Sequence, residues 1–459
     1  MTGDQVGGLP DTARRAARAV LAIPSRMRGA LPEPVAEALR AIRRHLPDPI
    51  ADVLDRAWSV PDAAHDQPDR TQPPGHSSGL GGSDDPVRAD PRSVGGTHAP
   101  SRPRPPDTAR RLWVGPVNYA GQGHQWARAV EVHCPGVGAR SMAVRRELRF
   151  PVDYEVPAPV YRSLRWQRSQ ERYVLQNYTD VLIEAERPLF GTLYGDSAAK
   201  ELAGIRRAGL GVAMICHGSD VRLPSRHAAQ FAYSPFQNPG DGYTARLEAQ
   251  AARNLVLLGE VEGPIFVSTP DLLGDVPRAR WCPIIIEPSA WATDAPLLQG
   301  RIPRVVHIPS NGPLKGTGLV DPIMRELAAR GRIEYRTLRG LTHQEVRDAY
   351  LDADIVLDQF VLGLYGVAAA EAMAAGRVVV AYVTDPVRWH VAEATGLDVP
   401  IVEADPGTVG EVVARLVEDR DRARQIAAAG PAFVRAVHDG RYSARVLGSL
   451  FDREALPAG

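Results

Sequence analysis

Residues 305–319 read Val305-Val306-His307-Ile308-Pro309-Ser310-Asn311-Gly312-Pro313-Leu314-Lys315-Gly316-Thr317-Gly318-Leu319. A short β-branched run (305–308) stops at a proline, a loop of small residues carries one lysine, and a helical pattern follows over 319–330. The order repeats downstream: strand 334–337, helix 344–351, strand 355–357, helix 367–375, strand 378–382, then helical patterns over 408–417, 421–429 and 443–450. Strands alternating with helices predict right-handed crossovers and a parallel sheet. Upstream the texture is the same, with strands expected at 112–117, 141–144, 181–184, 211–216, 265–268 and 281–286. Helices are expected between them at 125–131, 161–177, 198–207 and 244–257. The expected fold class is therefore α/β, with two Rossmann-like doubly wound parallel-sheet domains facing a cleft, one over 111–290 and one over 291–440. Residues 441–459 form a C-terminal helix returning toward the first domain.

The 459 residues suffice for two or three domains at about 150 residues each. Lys plus Arg (54) equals Asp plus Glu (54), so no global basic field recruits nucleic acid. Cys134, Cys216 and Cys282 are far apart in sequence and form no C-x-x-C pair, which disfavours a disulfide framework or a structural zinc site. No stretch reaches the roughly 18 apolar residues that a membrane span needs, and Pro24 interrupts the apolar run 19–23, so a signal peptide is not expected. These features predict a cytoplasmic location. Residues 61–110 hold no aromatic side chain and read as a disordered linker. Before them, 1–60 carry short amphipathic patterns (Val35, Leu39, Ile42, Leu46; Ile50, Val53, Leu54, Trp58), with Arg14, Arg15, Arg18, Arg40, Arg43 and Arg44 interspersed. That extension reads as a small helical appendage; a peripheral contact with the membrane inner face or with a protein partner is the alternative.

In the 305–319 stretch, loop amides near a helix start together with the Lys315 ammonium suit a diphosphate, while an ordinary turn with a solvated lysine is the plain alternative. A second motif, Asp358-Gln359-Phe360-Val361-Leu362-Gly363-Leu364-Tyr365-Gly366-Val367, opens the alanine-rich helix that carries Glu371. The glycines permit close backbone approach, the positive helix end faces the loop, and Glu371 is placed to accept ribose hydroxyls. Its alanine neighbours mark the helix as closely packed, so a carboxylate there needs a partner.

These segments resemble those of family 4 and related retaining glycosyltransferases of the GT-B fold, over roughly residues 111–455. The resemblance implies a nucleoside diphosphate sugar as co-substrate, no separate cofactor and no metal, with Lys315, Asn311, Tyr365 and Gly366 at the donor diphosphate and Glu371 at the nucleoside. Two positions depart from it. Gly363 stands where the family usually has a further glutamate, and the arginine usual before the lysine is missing from Pro309-Ser310-Asn311. Asp358 is a candidate substitute for the lost carboxylate.

In the first domain, Asn118-Tyr119-Ala120-Gly121-Gln122-Gly123-His124 follows the first strand; it lacks the third glycine and downstream acid of a dinucleotide fingerprint. The resemblance makes Gly121 and Gly123 an acceptor and phosphate loop. Cys216-His217-Gly218-Ser219-Asp220-Val221-Arg222 matches a His-Gly-Ser-Asp pattern in similar enzymes, which places His217 and Asp220 as catalytic groups and Arg222 at the acceptor. Thr342-His343-Gln344-Glu345 reads as a helix capping box. Asp352-Ala353-Asp354 mimics an acidic metal motif of another architecture, but it closes a helix and opens a strand. The expected activity is transfer of a hexose to a hydroxyl acceptor with retention at the anomeric carbon. The alternatives are a nucleotide-sugar-binding scaffold protein without turnover and a nucleotide-sugar 2-epimerase.

Overall fold

The computed structural model describes residues 99–145, 150–195 and 198–452. The helices expected over 1–60 and the linker up to residue 98 lie outside the described residues. The first lobe runs β1 (Arg110–Gly115), α1 (Gln122–His133), β2 (Val137–Val144), β3 (Tyr154–Val156), α2 (Ala158–Tyr161), α3 (Leu164–Asn177), β4 (Asp180–Glu184), α4 (Ala198–Arg207), β5 (Gly211–Cys216), α5 (Pro224–Gln230), α6 (Gly242–Glu260), β6 (Ile265–Val267) and β7 (Arg280–Trp281). The second runs α7 (Pro288–Trp291), β8 (Arg304–His307), α8 (Gly312–Lys315), α9 (Thr317–Ala329), β9 (Glu334–Thr337), α10 (His343–Asp352), β10 (Ile355–Leu357), α11 (Val367–Ala374), β11 (Val378–Ala381), α12 (Asp385–Thr395), β12 (Val402–Glu403), α13 (Val409–Glu418) and α14 (Arg420–Val437). A last helix, α15 (Arg441–Gly448), completes the chain.

Both sheets are parallel throughout, ordered β3-β2-β1-β4-β5-β6-β7 and β12-β11-β10-β8-β9. Helices cover both faces, so central strands such as Gly211–Cys216 and Val378–Ala381 are buried at every position and read as continuous apolar runs. The chain reverses direction across each sheet at one place, between β1 and β4 and between β8 and β10. Open parallel sheets bind ligands beyond the strand carboxyl ends at that switch point. The lysine loop follows β8 and the glycine-rich loop follows β10, so both of these motifs stand at the second switch point.

Several elements differ from the sequence reading. The strand expected over 281–286 ends at Trp281, because the next backbone groups bond elsewhere. The Gln122 side chain donates to Ile285 O and accepts from Ile285 N, and Ile286 N donates to His438 O. The helix expected over 161–177 is interrupted at Arg162 and Ser163. Residues 223–242, which show no clear pattern in sequence, contain α5. The linker expected to reach residue 110 is already held to the lobe at its end: Arg102 Nε donates to Gln170, Tyr173 donates to Pro103 O and Arg140 Nε donates to Arg104 O.

The final helix crosses lobes. Ala444, Leu447 and Leu450 pack with Trp126 and Val130 of α1 in the core of the first lobe. In the second lobe α11 and α14 pack without a spacer, since a β carbon on Gly430 would lie 2.6 Å from Met373 O. Gly430→Ala therefore forces apart the helix that carries Glu371, and it is expected to cost about 1–3 kcal/mol by overpacking. Urea unfolding measures this, and an unchanged midpoint would contradict the close approach.

Candidate functional site

At the first switch point the organising group is Glu184, the last residue of β4 and fully buried. Its carboxylate accepts the backbone N–H of Val117 (3.1 Å) and of Asn118 (3.0 Å), and a β carbon on Gly123 would lie 2.7 Å from it. Glycine at 123 is thus required by space, where the sequence suggested a phosphate contact. Gly121 takes a left-handed backbone (φ 76°) and lies against Phe150, 3.3 Å from a β carbon built there. His217 Nε2 lies 3.3 Å from Glu184 Oε1, at ion-pair distance but not aligned for a hydrogen bond. Tyr119 and Trp126 flank the imidazole, with ring centroids 5.1 Å and 5.4 Å away.

Asp220 is buried and accepts the N–H of His217 (2.8 Å) and of Gly218 (2.5 Å). It therefore holds the loop that presents His217, and its oxygens are committed to that task. Arg222 pairs with Asp271 at 2.5 Å, so its charge is met within the lobe. Behind the loop, Glu186 accepts the Cys216 thiol at 3.2 Å and faces Asp220. Glu186, Cys216 and Asp220 have ligand-type atoms within 4.8 Å of one another. Burial, then the Asp220 charge, pushes the Glu186 carboxyl well above its ordinary range, and burial pushes the Cys216 thiol up as well. Two carboxylates in contact away from water cannot both ionise, so Glu186 holds its proton against Asp220.

At the second switch point Lys315 forms an ion pair with Asp358, which is buried. Asp358 is thus no solvated turn residue. Asn311 Oδ1 accepts Leu314 N at 3.2 Å and caps the α8 turn, and Phe360 N donates to Lys315 O at 3.1 Å, tying the two loops together. Fully buried His307 clamps the same corner, bonding Leu357 O and Thr317 Oγ1 at 2.9 Å each. Gly366 is the residue before α11, and Glu371 sits inside its second turn, largely buried. Tyr365, expected at the diphosphate, stands just before Gly366. Its side chain is buried and its hydroxyl contacts His438 Nε2 at 3.2 Å, which leaves only its backbone toward the loop.

Glu371 has a partner that the sequence reading missed. Thr342 and Glu345 do form the capping box, but His343 between them bonds Glu371 Oε1 at 3.0 Å. That hydrogen bond holds the imidazole above its ordinary value; burial pushes the Glu371 carboxyl up despite it. His343 also meets the first lobe, with its ring centroid 6.2 Å from Phe150, and it packs within its own lobe 5.6 Å from Trp291 of α7. Gly121, Phe150, His343 and Glu371 thus form a line of contacts from one switch point to the other. A second bridge runs through α5, where His227 Nε2 lies 3.4 Å from Leu362 O and Phe231 stacks edge-on with Tyr382. Gly363 has a left-handed backbone (φ 73°), and a β carbon there would lie 2.8 Å from Thr384. The glutamate usual at this position in the resembled family is therefore excluded by backbone and space. Glu184 and Glu186 were also missed; their only sequence signal is an acidic residue at or just past a strand's carboxyl end.

No family model matches this sequence, and a search of curated proteins finds no match. Solved structures are similar in fold. A sucrose-phosphate synthase from Thermosynechococcus elongatus aligns over 74% of this chain and 98% of its own with a TM-score of 0.50 and 13% identity. HepE from Anabaena, in complex with UDP and glucose, covers 75% and 100% (0.47, 10%). WaaG, a glycosyltransferase involved in lipopolysaccharide biosynthesis, also covers 75% and 100% (0.45, 11%). Of the three, the first carries weight, and at that identity it speaks to fold alone. Among the described residues no helix is long and apolar enough to cross a membrane.

The Glu186 proton gives a pH prediction. A carboxyl raised in the folded state contributes stability that is present below its unfolded value and lost as pH rises through the folded one. Wild type is expected to lose up to about 1.4 kcal/mol per pH unit from this group, starting at the ordinary glutamate range. Glu186→Gln mimics the neutral acid and should remove that component. Urea unfolding at stepped pH reads the difference between the two proteins, and parallel curves would refute the proton held on Glu186.

Proposed function

We propose that the protein is a glycosyltransferase that takes a nucleoside diphosphate sugar as donor and transfers a hexose to a hydroxyl acceptor, with retention at the anomeric carbon. The observation that carries the reading is the convergence, at the second switch point, of the Lys315 loop with the start of α11 and Glu371. Lys315 and the amides near Gly366 would take the diphosphate, and Glu371 the ribose. A fold shared with a sucrose-phosphate synthase supports the reading.

Catalysis on this reading is electrostatic. The charge that develops on the leaving diphosphate is met by Lys315 and by amides fixed in advance. His217, held by Glu184 and by the loop that Asp220 braces, would contact the sugar near the reacting carbon. Asp220 is a positioning residue here, since its oxygens bond the loop amides. Contact between the lobes along Phe150 and His343 would exclude water from the donor. No separate cofactor and no metal enter these steps.

One observation favours a second reading, a nucleotide-sugar-binding protein without turnover. Gly363 cannot be replaced by a carboxylate in this backbone, so one group usual in the resembled family has no counterpart at its own position.

Donor binding and donor consumption test both readings. Lys315→Ala alone strands the buried Asp358 carboxylate, which is destabilising in itself, so it is combined with Asp358→Asn. The double variant is expected to lower nucleoside diphosphate affinity by about tenfold or more, the scale of a lost hydrogen bond to a charged group. Glu371→Gln should weaken the free nucleoside and the diphosphate alike. Calorimetry showing both variants at wild-type affinity would remove the basis for the site. Tight donor binding with no sugar transferred to any hydroxyl acceptor would favour the second reading.

A further inference from the structure

The carboxyl edge of the second sheet presents three neighbouring loops in strand order: 338–342 after β9, 308–316 after β8, and 358–366 after β10. Lys315, on the middle loop, is turned to the β10 side, where Asp358 cancels its charge. A diphosphate carries two or three negative charges. The pair it would meet there is neutral, and amides at a helix start supply only about half a unit charge. The proposed donor site is therefore short of positive charge on this side.

The β9 side supplies it. Arg339 is exposed and forms no ion pair or hydrogen bond among the described residues. Its guanidinium nonetheless lies on the middle loop, since a β carbon built on Gly312 would be 3.4 Å from Nη2. A β carbon at 312 would meet the guanidinium at about van der Waals distance, so the guanidinium rests against the backbone of this loop. Arg339 lies two residues after the end of β9 at Thr337, so the ladder between β8 and β9 sets where it emerges.

We infer that Arg339 is the second cation of the donor site, gripping a phosphate of the nucleoside diphosphate from the side opposite Lys315. The inference rests on the nucleotide-sugar reading and adds a residue to it. A planar guanidinium offers paired N–H donors that fit two phosphate oxygens at once. An ion-paired arginine would have to give up a partner first, whereas Arg339 has none among the described residues. It also accounts for the departure at Pro309-Ser310-Asn311: the arginine absent from the lysine's own loop is supplied by the neighbouring one.

The test is calorimetric titration of the full chain with UDP, ADP and GDP, each beside its own nucleoside, in wild type, Arg339→Gln and Arg339→Lys. Arg339→Gln is expected to weaken the bound diphosphate about tenfold and to leave the nucleoside unchanged. Arg339→Lys should recover part of the loss, because it restores the charge without the fork. Rising salt should narrow the gap between wild type and Arg339→Gln. If Arg339→Gln keeps diphosphate affinity within twofold while the Lys315 and Asp358 double variant loses it, the Arg339 inference fails and the nucleotide reading stands. Equal losses for nucleoside and diphosphate would overturn it too, as damage to the loop. If wild type binds none of the six compounds, both the inference and the reading beneath it fall.

Discussion

A carboxylate buried at the carboxyl edge of a parallel sheet must find donors, and here four such groups, on a strand, in loops and on a helix, set where the loops go. Glu184 gathers the amides of residues 117 and 118 and stands beside His217. Asp220 gathers the His217 and Gly218 amides. Asp358 holds Lys315, and Glu371 holds His343. An unpaired charge in such a place costs several kcal/mol, so each loop is pinned by the requirement that its carboxylate be met. The opposite ends of the strands use the same chemistry for closed braces. Asp354 accepts Leu298 N and Arg304 N, and Asp180 accepts the Thr179 hydroxyl. The difference is that at the carboxyl ends the partners are side chains and glycine-bearing loops that a ligand can reach.

The two lobes are joined in two chemically different ways. On one side the joint is dense: buried His438 bonds Ile284 O through Nδ1 and faces the Tyr365 hydroxyl through Nε2, and its own carbonyl accepts Ile286 N. Burial lowers the His438 pKa to about 4, so this hub is neutral across ordinary pH and does not titrate open. On the other side the lobes touch through ring edges, Phe150 with His343 and Phe231 with Tyr382, and one long contact from His227. Edge contacts of this kind are worth about 0.5–1.5 kcal/mol each. On the proposed reading the dense side would serve as the pivot, and the aromatic side would part to admit a donor.

The parallel architecture was legible where a strand is short, β-branched and followed by a loop with glycine or proline, so Val305–Val306 and Val378–Val380 announce themselves without help from tertiary structure. The lysine loop and the start of α11 were legible for the same reason, as local turn chemistry. What sequence did not show is what depends on pairing across the fold. Glu184 looks like any strand-end acid until β1 delivers two amides to it, and His343 looks like filler inside a capping box until α11 brings Glu371 within reach. The 281–286 run carries strand residues, yet its backbone is claimed by Gln122 and His438. Gly363 read as a lost glutamate, whereas its left-handed backbone and the nearness of Thr384 make glycine a requirement.

The two internal ion pairs at the donor site answer differently to a ligand. The His343 side chain is 59% exposed, so a ribose hydroxyl that takes Glu371 displaces an imidazole that water can rehydrate at little cost. Asp358 is 2% exposed at its side chain, and moving Lys315 away would strand it. An ammonium, however, has three N–H donors, and Asp358 uses part of that capacity. On the proposed reading, then, Lys315 is shared between Asp358 and the phosphate while His343 is exchanged for the ribose. The positive charge that a diphosphate needs at this loop has to come from a group outside the pair, which is the role proposed for Arg339, unpaired among the described residues.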